Sequence, residues 1–128
     1  MKIDALLIEK ANTAIKEAKI VNDNGQYDKV FKGYISSFGA SIAQAGLIPT
    51  IIFFEAKSEQ AKERPKVIQA LKLMLDEEYQ VDSLAEYLLI KRKDEEDSFK
   101  KEEKQLLKKT TTAMVAIKLA LRMYKEIK

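Results

Sequence analysis

The amino-acid sequence predicts an all-α protein, a single compact bundle of about five or six helices with a long C-terminal helix. Three observations carry that expectation. Apolar residues recur at three- and four-residue steps along most of the chain, the spacing that lines one face of an α-helix. Turn formers are scarce, with 4 glycines and 2 prolines in 128 residues, far below what a sandwich or barrel of many short strands requires. No glycine or proline interrupts residues 99–127, so that segment predicts one helix about 43 Å long at 1.5 Å per residue. The length fits one domain, residues 1–128, which buries enough surface to fold without a metal or a disulfide.

The elements follow in order. Ile3, Leu6, Leu7, Ala14, Ile15, Ala18 and Val21 form the first apolar stripe, and Asn22-Asp23-Asn24-Gly25 ends it with turn-forming residues. Tyr27, Phe31, Tyr34, Ile35, Phe38, Ile42 and Ala45 form the second, with Gly46 placed to cap it in a left-handed conformation. The run Leu47–Phe54 suits a buried strand or a buried helix. A lone strand has no partner and Pro49 fits a helical first turn, so a buried helix is expected. Pro65 opens a fourth helix carrying Val67, Ile68, Leu71, Met74 and Leu75. Ser83 with Glu86 forms a capping box before Leu84, Tyr87 and Leu88, the short fifth helix. The charge run Lys91–Lys104 begins as an exposed connection, with Asp97 or Ser98 as N-cap of the last helix. No strand is expected anywhere.

Composition excludes most common catalytic devices. The chain has no histidine and no cysteine, hence no imidazole base, thiol nucleophile, zinc finger or disulfide framework. Ser36, Ser37 and Ser41 lack an activating histidine, and the paired carboxylates, such as Glu77 and Glu78, lie in polar runs without a sheltered partner. The four glycines are too widely spaced for a phosphate loop. No enzymatic activity, cofactor, metal site or small-molecule substrate is expected. Asp4 and Glu9 interrupt the start where a signal peptide would be apolar, and no run reaches the length of a spanning helix. These features predict a soluble, cytoplasmic protein with no membrane partner.

The formal charge of +3 conceals an uneven distribution. Residues 1–57 carry +1, residues 58–98 carry −4, and residues 99–128 carry +6, from 9 basic against 3 acidic side chains. On a wheel of 100° per residue the last helix has a core stripe of Leu106, Thr110, Ala113, Met114, Ile117, Leu121 and Tyr124. Lys100, Lys104, Lys108, Lys118, Arg122 and Lys125 cluster on another side, while Val115, Leu119 and Met123 lie off the core stripe. Lysine-rich helix faces are ordinarily solvated, so the residues alone leave two readings of the stripe, a solvated face or a sequence-blind phosphate contact. The extra apolar positions mark either a centrally buried helix or a partner surface. Tyr27, Phe31, Tyr34 and Phe38 fit core better than base stacking.

At FKGYISSFGASIAQAGLIPTIIFFEAK, residues 31–57, the sequence resembles the small subunit of the Cmr-module effector complex, the type III-B CRISPR RNA-silencing machine. The resemblance rests on Lys32 before Tyr34, an apolar segment ending in Gly46-Leu47, and the aromatic pair Phe53 and Phe54 near a lysine. The segment TTTAMVAIKLALRMYKEI, residues 110–127, looks like the family's closing helix. Leu119 stands where that helix tends to carry tryptophan, Arg122 keeps its basic part, and Gly39-Ala40 stands where many members have Leu-Pro.

What the resemblance implies is an all-helical, non-catalytic subunit that supports antiviral defence. Small subunits of this kind stack in a row beside the backbone subunits that hold the guide RNA, and together they frame the groove where target RNA pairs. The implied partners are the other Cmr effector subunits, guide and target RNA, and further copies of the chain. The candidate RNA-contacting residues are Lys32, Lys104, Lys108, Lys118, Arg122 and Lys125, and the candidate protein-contacting residues are Val115, Leu119 and Met123. A helical scaffold or adaptor of an unrelated assembly, using those three apolar residues and touching no nucleic acid, is the alternative. A stand-alone DNA-binding regulator fits less well, because no turn is followed by a helix with Arg, Asn or Gln at its exposed start.

Overall fold

The computed structural model describes residues 3–128. Helix α1 (Ala5–Glu17) begins where Asp4, in extended backbone, accepts the Leu7 N–H at 2.9 Å. It ends in a Schellman arrangement. The Ile20 N–H reaches the Ile15 carbonyl at 2.9 Å and the Lys19 N–H reaches the Lys16 carbonyl at 3.1 Å, with Lys19 at φ 61°. Ile15 and Ile20 are both buried, the apolar contact that accompanies such a stop. The predicted turn follows, as Asn22 Oδ1 accepts the N–H groups of Asn24 and Gln26 and Gly25 takes φ 71°.

Strand β1 (Gln26–Tyr27) precedes α2 (Val30–Ala45), so Tyr27 lies on a strand and not on the second helix where its spacing had placed it. Asp28 sets the boundary by accepting the Val30 N–H at 2.9 Å. Helix α3 (Leu47–Glu55) follows α2 with only Gly46 between. Gly46 has φ 92° and ψ 176°. This is a positive φ as expected, but with extended ψ, a region open essentially to glycine alone. Its N–H bonds to Ile42 and its carbonyl accepts from Thr50, so one residue terminates one helix and starts the next.

After a 3-10 turn, Pro65 starts α4 (Pro65–Met74) at its first position, where no N–H is missed. Helix α5 (Leu84–Asp94) opens on Ser83 as expected, its Oγ accepting the Glu86 N–H at 3.1 Å, but the predicted capping box is only half formed, because among the described residues the Glu86 side chain makes no bond back to the Ser83 N–H. The charge run departs from expectation. Residues 91–94 are helical, and α6 (Glu96–Leu121) begins after Glu95 alone, without a side-chain cap from Asp97 or Ser98. The last helix also stops earlier than expected, at Leu121. Strand β2 (Lys125–Glu126) then pairs in parallel with β1, Gln26 opposite Lys125 and Tyr27 opposite Glu126. Lys125, expected on the helical stripe, therefore lies outside the helix.

The structure is 72% helical, with six α-helices among the described residues and a sheet of only two two-residue strands. Helix α6 braces the others, packing along α1 and touching α2, α4 and α5. The buried apolar side chains form one connected cluster, within which Phe38 and Phe54 meet edge to face at 5.1 Å. The run Leu47–Phe54 is helical as expected but not buried throughout. Ile52 and Phe53 are 43% and 54% exposed, because α3 meets its neighbours α2, α4 and α5 over one side only. The Arg64 guanidinium covers the Phe53 ring from 4.1 Å.

Candidate nucleic-acid interface

The core stripe predicted on the last helix is buried from Leu106 to Leu121, and Tyr124 is half-buried. Burying that stripe against α1, α4 and α5 turns the opposite side of α6 outward and leaves an open groove between its C-terminal half and α2. Lys32 from α2, Lys118 from α6 and Arg122 from the residue that caps the end of α6 line one end of the groove, a space of about 380 Å³ that Tyr27 and Tyr124 also bound. All three cationic side chains are exposed. Lys32 lies 3.7 Å from the Glu126 carboxylate, whereas Lys118 and Arg122 make no ion pair among the described residues.

The carboxylate at this end is there because the tail folds back. The Lys125 N–H bonds to the Gly25 carbonyl at 3.1 Å and the Ile127 N–H to the Tyr27 carbonyl at 2.8 Å. The Tyr124 hydroxyl donates to Asn12 Oδ1, and the Lys16 ammonium sits 5.8 Å over the Tyr124 ring. These contacts fix Glu126 beside Lys32.

The structure thus unites three of the six predicted basic residues and leaves the others apart. Lys104 and Lys108 are exposed on α6, about 21 and 15 Å along the axis from Lys118 at 1.5 Å per residue. Lys108 borders a separate depression beside Leu7, Asp76 and Lys109, on the α1 and α4 side. Lys125 is exposed on β2. Of the apolar candidates, Val115 and Leu119 are half-buried, and Met123 is 61% exposed just past the end of α6. Of the four aromatic residues expected in the core, Phe31 and Phe38 are buried on α2, Tyr27 is buried from strand β1, and Tyr34 is half-buried.

Sequence reasoning missed two features. One is the exposed apolar surface of Ile52 and Phe53 on α3 and Leu89 and Ile90 on α5; their runs look like core until the helices are placed. The other is the role of α2, whose small residues Ser36, Gly39 and Ala43 wall the groove. No signal in the sequence alone pairs them with α6.

A second polar cluster lies at the junction of α5 and α6. The Lys91 ammonium bonds to Glu102 at 2.8 Å and Glu78 at 3.1 Å; the Tyr79 hydroxyl donates to Glu102 and the Tyr87 hydroxyl to Glu78, each at 3.0 Å. The bond to Glu102 holds Lys91 above its ordinary lysine value. Burial, then the neighbouring Glu102, pushes the Tyr79 hydroxyl above the usual phenol range, and the bond to Lys91 holds Glu78 below the usual carboxylate range. Every carboxylate in the cluster is paired, so it is a clasp between helices and not a poised acid or base.

A comparison with the curated proteins and one with the solved structures each return no match. The sequence model described as CRISPR-associated protein (Cas_Cmr5) matches residues 8–125, nearly the whole chain. The helical fold agrees with the resemblance read at residues 31–57 and 110–127, and the chain belongs to the Cas_Cmr5 family, the small subunit of the type III-B Cmr CRISPR effector complex.

Proposed function

We propose that this chain is a non-catalytic Cmr subunit that works in the cytoplasm, stacks beside the guide-holding backbone subunits, and contacts guide and target RNA through a basic surface. Family membership implies association with the other Cmr subunits. The observation that carries the RNA contact is the convergence of Lys32 on α2, Lys118 on α6 and Arg122 at the end of α6 on one open groove, with no carboxylate paired to the last two among the described residues. Cations so placed attract phosphate irrespective of base sequence, while sequence is read by guide–target pairing. Lys104, Lys108 and Lys125 extend the positive field without sharing the groove. The exposed apolar residues Ile52, Phe53, Leu89 and Ile90, together with Met123, support protein contacts within the row of subunits.

A non-catalytic role is supported by the family and fits a sequence that has no histidine or cysteine to supply an imidazole base or a thiol nucleophile. No helix among the described residues is long and apolar enough to cross a membrane.

The test is target-RNA binding by the assembled complex at several salt concentrations, with wild-type chain and with Lys118→Glu and Arg122→Glu together. Three phosphate contacts to single-stranded RNA give a slope of log affinity against log salt near −2, at about −0.7 per phosphate. The double variant should bind more weakly with a shallower slope. Equal affinity and equal slope would reduce the groove to a solvated face and favour an adaptor that touches no nucleic acid.

A further inference from the structure

The groove between α2 and α6 has a second half that phosphate contact leaves unexplained. Beyond Lys118 it runs into a space of about 390 Å³ floored by Ile35, Phe38, Ile42 and Met114, with Gly39 and Ala43 on one wall and Val115 on the other. The two halves share Ile35, Ser36 and Lys118, so they form one continuous trough with an apolar end and a cationic end. The space is of a size that small organic groups occupy. Its α2 wall is low because Gly39 has no side chain, and a Cβ added there would meet nothing within 4 Å.

Resting on the RNA reading above, we propose that the trough is a nucleotide subsite in which one unstacked base of single-stranded RNA lies in the apolar half, with its phosphate on Lys118, Arg122 and Lys32. Charge complementarity selects the occupant. An uncharged apolar group would fill one half and leave the cations unmet, whereas a nucleotide joins a flat, largely apolar ring to an anion in one molecule. Val115 and Lys118 lie three residues apart on α6, close to one 5.4 Å helical turn, comparable to the separation of base and phosphate in a nucleotide. The apolar floor contacts the ring faces of any base, so the site holds a base without selecting which one.

The experiment compares two RNA oligonucleotides of equal length and charge, one carrying its bases and one abasic at central positions, binding to the full chain in low salt. Wild-type chain should bind the base-bearing strand about tenfold more tightly. Ala43→Leu, which fills the apolar half from an exposed helical position, should abolish that preference and leave the salt slope unchanged. Gln44→Leu, one residue on and exposed outside the trough, should change neither, and circular dichroism should show equal helix content in all three chains. A preference that survives Ala43→Leu overturns the subsite. Salt-dependent binding without preference in wild type overturns it too while leaving the RNA reading intact, and absence of salt-dependent binding to either strand removes both. If Ala43→Leu leaves the base preference in place but blocks assembly with the other Cmr subunits, the trough belongs to a protein partner and the subsite is likewise overturned.

Discussion

Glu55, the last residue of α3, caps a helix that begins 29 residues later: its carboxylate accepts the Leu84 N–H at 2.7 Å. The same carboxylate accepts the Ser83 hydroxyl at 2.7 Å and the Ala85 N–H at 3.3 Å. Ser83 therefore donates to Glu55 while accepting from Glu86, so a local cap and a tertiary cap share one hydroxyl. A carboxylate at the positive end of a helix also meets the macrodipole favourably.

Glu55→Ala removes three acceptor contacts and should destabilise the fold by about 2 kcal/mol, near the upper end for helix caps. Ser83→Ala should cost about 1 kcal/mol, because Glu55 still satisfies the first N–H groups of α5. Because the two residues share contacts, the double variant should cost less than the singles predict together. Urea denaturation of the four chains gives the coupling energy. A coupling of zero would show that the two caps act independently.

Two positive-φ residues should respond in opposite directions. Gly46, at φ 92° and ψ 176°, occupies backbone that a Cβ strains, so Gly46→Ala should destabilise by about 1–3 kcal/mol even though the added methyl meets no neighbour. Lys19, at φ 61°, already bears that strain, and Lys19→Gly should stabilise by about 0.5–1 kcal/mol, the relief of left-handed strain less the entropy glycine loses on folding. Thermal unfolding should show Tm falling in the first variant and rising by a few degrees in the second. A lower Tm for Lys19→Gly would mean that its side chain contributes more than the strain it costs.

The clasp around Lys91 gives the fold an alkaline limit. Lys91 and Tyr79 both bind their protons more tightly folded than unfolded. Below about pH 10, where the free groups keep their protons, the contribution is fully present; as pH rises further the unfolded chain releases protons that the folded chain holds, and stability falls. On the acid side Glu78, held low by Lys91, contributes above about pH 4.5 and loses that contribution as pH falls through its folded value. Denaturant midpoints between pH 7 and 11 should therefore decline above pH 10 in wild type. Tyr79→Phe should flatten the decline, and an unchanged pH profile would remove Tyr79 from the account.

The helices were legible because their signals are local. Spacing marked most of the buried faces, although Leu6 and Ala45 of the predicted stripes are exposed; Pro65 and Ser83 marked helix starts, and Asn22-Asp23-Asn24-Gly25 marked a turn. The junction at Glu95 was not, because residues 91–98 carry no apolar residue, glycine or proline, so neither periodicity nor a breaker shows where α5 stops and α6 starts. The end of α6 at Leu121 is set by tertiary contacts, the Tyr124 hydroxyl on Asn12 and the pairing of β2 with β1, between segments about a hundred residues apart. The cationic site was half legible for the same reason. Helical spacing placed Lys118 and Arg122 on one face, but only the packed fold shows that Lys32 joins them, that Lys104 and Lys108 do not, and that Glu126 stands at the edge.

That last carboxylate supplies a prediction with an unusual sign. Glu126 lies 3.7 Å from Lys32, both side chains are largely exposed, and the pair contributes little to stability. For a phosphate approaching the groove, however, Glu126 is a like charge beside one of three cations and competes for it directly. Glu126→Gln keeps the side chain's size and leaves the backbone pairing of β2 intact while removing the charge. RNA binding by the assembled complex should tighten about two- to fivefold at low salt, with a steeper salt slope as Lys32 becomes fully available. Lys32→Gln should weaken binding, and in that background Glu126→Gln should recover only part of its gain, because what remains is repulsion without competition. Filter binding of one RNA to the four complexes across a salt series measures this. Unchanged affinity in Glu126→Gln, with helix content preserved, would show that RNA does not come within screening distance of this end of the groove, and the contact would have to be sought along Lys104 and Lys108 instead.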